Sequence, residues 1–495
     1  MVLQLVTDTL LGTAKEELEA IVAAHDTATQ QYKEYREYWE GKHAVRLTAR
    51  MKQFLANNGF HGDTAGFRNN LCPLVIETLS DRLRIAGFTV PGEDVPVAAS
   101  VVPGDPEAAK IGPVAQFAAE TWARNRGDRL QVRVHENAIA LGDAFVMVEW
   151  DDREQRVRLA YNDPNLVRVW YDPEDSDRII MASKRWVVSE QPAGAMVVDA
   201  RQSVRLNVYK PDRIERYIRN GLIGGGVWRH FTDAANPEWP IDWTDNGEPL
   251  GIPVVHFANN DRGAQYGRSE IADVVPLQDA LNKAVVDVVR VMDAQGWPQR
   301  YALGVSEAPS DDLVSVPGAM FWSASKEATM GTLDAATPMG LIELWNKFEE
   351  SVAAITRTPQ HAFRVTNGLP SGEALKTAES GLVAKAEKRG IVFGDAWEDV
   401  MTIALRLGQA NGKISAELPD SGFAVEWESF ETRDDELQRI QAINSKEGIS
   451  ERQRWREYGY TDEQIERMEK EKEQEREVEA EVVATSLGGA FDRGA

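Results

Sequence analysis

Apolar positions recur at helical spacing over several long stretches of this chain and alternate over several short ones. Leu18, Ile21, Val22, His25 and Ala28 share one face of a helix that runs to about Trp39. Thr13-Ala14-Lys15-Glu16 ahead of it is a capping box, hydroxyl and carboxylate each satisfying an orphan amide. The end of that helix, Tyr32 to Trp39, is dense in aromatics, a spacing that fits core or a subunit interface. A second helix is predicted from Leu71 to Arg84, punctuated by Gly87. Val90 to Val102 reads as a loop, and Asp105-Pro106 opens a helix to about Asn125. From Ala144 to Val208 the period falls to two. Residues 145–150, 157–161, 166–170 and 184–188, bounded by Asp, Asn and Pro, predict an antiparallel sheet. Arg213 to Tyr217 and Val227 to Phe231 predict a hairpin around Gly224-Gly225-Gly226.

Helical spacing returns with Ile271, Val274, Leu277, Leu281, Val285, Val288 and Met292. Pro276 has no amide hydrogen, so the helix is expected to start or kink there. Strands are predicted at Gln299 to Gly304 and Ala319 to Ser323, then a helix from Pro338 to Ile355 with Leu341, Leu344, Trp345, Phe348 and Val352 on one side. A loop from Thr356 to Pro370 leads into a very long helix, Ser371 to Leu407, in which Gly381, Gly390 and Gly394 are candidate bends. Phe423 to Trp427 is one more strand. Beyond it the chain is charged and helical, with capping boxes at Ser450 to Gln453 and Thr461 to Gln464 and a mixed-charge helix from Glu466 to Ala480. The fold class is therefore α+β. Two helices joined through a small β-containing excursion form a stalk, with the 356–370 loop at the end opposite the excursion. The apolar faces of that stalk are too extensive for it to bury alone, so they are expected to pack between copies.

Length and composition narrow the picture. At 495 residues the chain exceeds one ordinary core, which implies two or more domains. Its apolar runs fall short of the roughly 18 residues of a membrane span, and Met1 to Leu11, with Asp8 and no Lys or Arg, does not read as a signal peptide. Cys72, the single cysteine, sits in an apolar run and is expected to be a buried free thiol. The net charge of −24 argues against a tight, static grip on nucleic acid, which needs a basic face. It permits a surface past which DNA slides, and equally a protein that never meets DNA.

A search for chemistry returns little. No zinc-protease, paired-cysteine, nucleophile-elbow or dinucleotide motif occurs. The triple glycine lacks the Lys-Ser or Lys-Thr of a phosphate loop and reads as a flexible turn. His25, His43, His61, His135, His230, His256 and His361 are scattered, without the local pairing of metal sites. Acid pairs such as Asp151-Asp152 and Asp311-Asp312 fall in turns. No catalytic residue, cofactor or metal is expected.

Several stretches do resemble a known family. Tyr266-Gly267-Arg268-Ser269-Glu270-Ile271 and Pro276 to Asn282 resemble the first stem helix of the portal proteins of tailed double-stranded DNA phages. Thr358-Pro359 followed by Ser371-Gly372-Glu373-Ala374-Leu375 is similar to their tunnel-loop exit, although many relatives carry glycine where Thr358 stands. Tyr38 to His43, and Asn69-Asn70-Leu71-Cys72 to Phe88, are similar to the wing of the siphophage branch common in actinobacterial phages. The resemblance implies a wing (1–265, with a return strand at 423–431), stem helices (266–296 and 338–356), a clip (297–337), a tunnel loop (357–370), a long kinked helix (371–408) and a crown (432–495). It implies a homo-oligomeric ring, usually a dodecamer, at one capsid vertex of the virion, assembled in the host cytoplasm, with no enzymatic activity and no membrane. Double-stranded DNA would pass through the channel. Partners would be the terminase large subunit, the head-completion adaptor, and the major capsid and scaffolding proteins. Arg357, His361, Arg364 and Asn367 would face the channel in the tunnel loop, and Leu281, Val285, Val288, Met292, Leu344 and Phe348 would pack the stem. Two other readings stand beside it: another virion part such as a minor capsid or adaptor protein, and a hydrolase using the fourteen tryptophans and the carboxylates.

Overall fold

The structure, a computed structural model, describes residues 15–45, 69–90, 97–98, 112–190, 201–221, 226–234, 237–261, 263–296, 300–303, 329–332, 339–363, 372–416 and 422–431, with a few isolated positions besides. In chain order the elements are α1 (Lys15–Trp39), α2 (Cys72–Ser80), β1 (Ile85–Thr89), β2 (Val97–Ala98), α3 (Pro113–Arg124), α4 (Gly127–Leu141), β3 (Asp143–Asp151), β4 (Arg156–Asn162), β5 (Val167–Tyr171), β6 (Ile179–Glu190), β7 (Arg201–Tyr209) and β8 (Arg213–Asn220). There follow β9 (Arg229–His230), β10 (Ile241–Asp242), β11 (Thr244–Asp245), β12 (Glu248–Pro249), β13 (Val254–Ala258), α5 (Val275–Gly296), β14 (Arg300–Leu303), β15 (Thr329–Thr332), α6 (Met339–Thr356), α7 (Gln360–Phe363), α8 (Gly372–Ala410) and β16 (Ala424–Trp427). The mixture of helices with antiparallel sheets is the expected α+β class. The chain divides into Met1–Phe430 and Glu431–Ala495. The two distal capping boxes and the helix expected at Glu466 to Ala480 lie outside the described residues.

The strand-rich region forms two sheets where the alternation predicted one. One has the order β13-β3-β4 and the other runs β10-β8-β7-β6-β5, with β9 also on β8. β3 is the reason they stack. Its odd residues Phe145 and Met147 pack with Val167, Val169, Ala182 and Tyr209 of the larger sheet, while Val146 and Val148 face the main core. With both faces buried, β3 reads as a continuous apolar run, and alternation alone cannot show that two different layers cover it. The strands on either side of the triple glycine pair, with Tyr217 opposite His230 and Ile218 opposite Arg229, while Gly224 and Gly225 lie outside the described residues.

The main core joins α2, α3, α4, β3 and the second half of α8, around Trp122, Ile139, Phe393 and Trp397. Cys72 is fully buried in it, and Tyr32 and Tyr38 place the aromatic end of α1 in the core. Three local expectations need correction. α2 ends at Ser80, not Arg84, and Gly87 lies inside β1, whose register against β16 shifts between Ile85 and Gly87. The partner strand comes from the far end of the chain, so no local window could reveal it. α3 begins at Pro113 after an extended Gly112 (φ −60°, ψ 151°), so the helix expected from Asp105 does not run through, and Asp105-Pro106 lies outside the described residues. β14 pairs with β15, whereas the strand expected at Ala319 to Ser323 lies outside the described residues. α4 was not anticipated at all. Its buried face includes Gln131, His135 and Asn137, which interrupt the apolar period.

The remaining long helices follow the pattern. α5 starts with Pro276 in its first turn, where a missing amide hydrogen costs nothing. α8 is helical without interruption through Gly381, Gly390 and Gly394. At Gly390 a Cβ would come within 2.8 Å of the Phe430 ring, so this glycine makes room for an aromatic neighbour.

Two buried histidines set the acid limit of this fold. The Trp397 indole, a donor only, gives its hydrogen to His135 Nε2 (2.9 Å), so Nδ1 carries the ring proton and donates to Leu83 O (3.0 Å). Burial lowers His135 from the ordinary 6.5 to about 3; burial, then Arg185 and Arg168, do the same to His25. In the unfolded chain both take up protons near 6.5, so the unfolded state binds more protons below that pH. Their contribution is complete above pH 6.5 and is lost as pH falls towards 3. At pH 5 each should cost roughly 2 kcal/mol. Urea unfolding at pH 7.5 and pH 5 should show this loss, with about half of it abolished in His135→Leu.

Candidate functional site at the base of the long helices

The segment that leads into α5 is fixed by backbone chemistry. Gly142, just past α4, has φ 101°, and a Cβ there would lie 2.8 Å from Gly267 O. At Gly267 a Cβ would fall 2.1 Å from Gly142 O and 2.4 Å from Asn259 N, so only glycine fits either place. The contact lets Asn259 N donate to Gly142 O (2.8 Å) and Arg268 N to Asn259 O (2.6 Å). Glu270 N then donates to Ile139 O (2.9 Å) and Ser269 Oγ to Ala140 O (2.5 Å), using carbonyls left open at the end of α4.

Asp143, the first residue of β3 and nearly fully buried, collects what surrounds this staple. It accepts from Tyr32 Oη (2.5 Å), His256 Nε2 (2.8 Å) and Gly267 N (2.7 Å). Since the carboxylate can only accept, His256 donates from Nε2, and its Nδ1 faces Tyr171 Oη at 2.6 Å. Burial, then Asp143, raises the Tyr32 phenol. Arg168 is buried with its guanidinium over the Tyr32 and Tyr266 rings (5.0 and 5.4 Å) and donates to Tyr32 Oη at 3.1 Å. Tyr266 Oη both donates to Val169 O (2.9 Å) and accepts from Val169 N (3.0 Å). One polar network thus spans α1, both stacked sheets and the entry to α5.

A second network holds three long helices together. Glu270 is bound by Lys385 Nζ (2.8 Å) and Arg389 Nη2 (2.7 Å), with all three side chains at most 10% exposed. Burial alone would raise the Glu270 carboxyl, but the two cations outweigh it and hold it below the ordinary range. Lys385 is lowered, by burial first, against the pull of Glu270. Its ammonium also donates to Thr356 O (2.8 Å), the carbonyl at the last residue of α6. A third cluster anchors the first turns of α5. Gln278 accepts from Leu71 N (2.9 Å) and donates to Asn69 O (2.5 Å) and Asn282 Oδ1 (3.1 Å). Asn282 Nδ2 reaches His43 Nε2 (2.9 Å), His43 stacks on Tyr38 at 4.2 Å, and Tyr38 Oη donates to Asp279 (2.8 Å). Three of the stretches that carried the resemblance, Tyr38 to His43, the start of Asn69 to Phe88, and Pro276 to Asn282, therefore meet here in space.

The individually named residues fare unevenly. Leu281 is buried, Val285, Val288 and Phe348 are half-buried, Leu344 is exposed, and the Met292 side chain lies outside the described residues. α5 packs against α6. Arg357 is exposed at a left-handed φ of 57° directly after α6. His361 falls in α7, within what was expected to be loop, with Nε2 3.4 Å from Glu379. Arg364 and Asn367 lie outside the described residues. Thr358 is buried with its hydroxyl 2.8 Å from that of Thr356, so a polar side chain occupies the place where glycine was the family expectation. Sequence reasoning missed Asp143, Arg168, Glu270, Lys385 and Arg389 as partners. One signal was present: Lys385 and Arg389 sit in the helical stripe Leu382, Ala386, Phe393 of α8, where a charge needs a buried counterion. Among the described residues, no group of three or more His, Cys, Asp or Glu could hold a metal ion, and no helix is long and apolar enough to cross a membrane.

The described residues form an α+β body whose core takes in the second half of α8, with α5 packed against α6. The chain belongs to the phage portal protein family, SPP1 Gp6-like, whose family model matches residues 18–478. It is 28% identical over 185 residues to the portal protein of Mycobacterium phage D29, and 29% identical over 187 residues to that of Mycobacterium phage L5. Each of these matches spans 35% of this chain and 38% of the relative.

The Glu270 cluster makes a quantitative expectation. Replacing Glu270 with Gln leaves two buried cations without a carboxylate, and breaking such a pair costs about 3–5 kcal/mol. Denaturant unfolding should register that loss. Glu270→Gln combined with Lys385→Met should recover part of it, because the second change removes one of the stranded charges.

Proposed function

We propose that this chain is the repeating subunit of a closed ring at one capsid vertex, through which double-stranded DNA is packaged and later ejected. The observation that carries the reading is the apolar surface left uncovered on the long helices. Met339, Ile342, Leu344 and Ile355 of α6 and Ile391 and Val392 of α8 are between 37% and 67% exposed. Side chains of this size on two neighbouring helices call for a partner surface, and copies of the same chain supply one in a ring. In the proposed map residues 1–265 with the return strand 423–431 form the wing, α5 and α6 the stem, 297–337 the clip and 432–495 the crown. Dodecameric symmetry, docking of the terminase large subunit during packaging, replacement by a head-completion adaptor, and contact with major capsid and scaffolding protein belong to the same proposal.

The acidic net charge favours a channel that does not hold DNA. Arg357, His361, Arg364 and Asn367 would then be the local exception at the constriction. The chain's own Glu379 already faces His361, whereas Arg357 is exposed, which makes Arg357 the stronger candidate of these two for phosphate contact.

Two measurements test this. Leu344→Asp with Ile355→Asp changes only exposed positions of α6, so the fold should lose no more than about 0.5 kcal/mol per site. Closed rings with a central hole, seen by electron microscopy and light scattering for the parent protein, should give way to smaller species. Arg357→Glu with Arg364→Glu should leave rings intact and shorten or destabilise the packaged DNA, since each exposed contact contributes on the order of 1 kcal/mol or less. Normal packaging and retention in that variant would remove both residues from the DNA path.

A further inference from the structure

Away from the long-helix junction, a cleft of about 520 Å³ opens where β3, the larger sheet and the end of α8 converge. Three indoles line it, those of Trp150, Trp186 and Trp243, together with four carboxylates, of Glu149, Asp152, Asp242 and Asp245. The one cationic side chain in its lining is Arg216, whose Nη2 lies 2.5 Å from Asp233 and whose guanidinium sits over Phe231. Glu149 faces Arg158 and Asp242 faces Arg213 across their strand pairs, so Asp152 and Asp245 set the sign of the cleft. Ala410 and Asn411, at the carboxyl end of the 39-residue α8, also line the wall. That end of a helix carries partial negative charge and favours a cation. Trp186 already takes one: Lys184 Nζ lies 5.5 Å over its ring.

Indole faces, carboxylates and a helix carboxyl terminus on one concave surface are complementary to a flat, delocalised cation that stacks and donates hydrogen bonds in its plane. We propose that this cleft is a docking site for an arginine side chain presented by a peptide segment of another protein. Charge complementarity is the ground for choosing that occupant. The site lies on the β-rich body beside the carboxyl end of α8.

The rival occupant is a sugar, since indoles with carboxylates also line carbohydrate clefts. Ligand-observed saturation-transfer NMR and calorimetry on the full-length assembled protein separate the two. The probes are the blocked peptide acetyl-Gly-Arg-Gly-amide, the same peptide with citrulline as the uncharged isostere of arginine, and maltohexaose. The arginine peptide should bind, and citrulline should weaken it by at least about fivefold, the size expected for losing a partly desolvated cation–π and ionic contact. Asp242→Asn with Asp245→Asn keeps the shape of the cleft and should weaken the arginine peptide to a similar degree while melting at the parent temperature. Absence of binding, equal binding of the citrulline peptide, an unchanged affinity in the double variant, or displacement of the arginine peptide by maltohexaose would each overturn the proposal.

Discussion

Glu270 is the residue on which the arrangement of the long helices depends. Its carboxylate is buried, and burial of an isolated charge is costly enough that the group must either neutralise or find partners. It finds Lys385 and Arg389, both on α8, while its own amide is fixed to the end of α4. Lys385 extends the chain of contacts to the last carbonyl of α6. Glu270 and Lys385 together thus tie the segment that leads into α5 to the middle of α8 and the end of α6. Lys385 is lowered first by burial, with Arg389 and Arg357 adding to it, while Glu270 pulls the other way.

The molecule combines two regimes of packing. In the β-rich body, β3 is enclosed on both faces and Asp143 accepts from Tyr32, His256 and Gly267. On α6 and α8 apolar side chains stand in solvent. A body with a closed apolar core beside helices with uncovered apolar faces is suited to completion by neighbouring copies. The net charge of −24 limits adhesion to nucleic acid.

Much of this was legible in the sequence because the long helices are strongly periodic. The start of α5 at Pro276, the span of α6 and the reach of α8 all follow from spacing and from one residue that lacks an amide hydrogen. The strands from Phe145 onward were legible for the same reason, but not their division into two sheets, because the apolar run of β3 is silent about which layer covers which face. α4 was hidden by Gln131, His135 and Asn137. Gln131 and His135 are buried because distant atoms satisfy them, Ile85 N for the one and Leu83 O with the Trp397 indole for the other, while Asn137 donates to Arg133 O one turn back. β1 was hidden because its partner is β16. The junction was legible only as separate stretches. Asn69, Tyr38, His43 and Gln278 looked unrelated along the chain, and it takes the fold to show that they form one hydrogen-bonded set.

The backbone contact between Gly142 and Gly267 has a genetic consequence. Most packing defects admit suppressors: a larger side chain is accommodated when a neighbouring one shrinks. Here each glycine faces the other's main-chain oxygen, and Gly267 faces the main chain of Asn259 as well. No substitution at a second site removes a main-chain atom. A lesion at either glycine is therefore beyond repair by intragenic suppression, and selection for revertants should return only the original codon's amino acid.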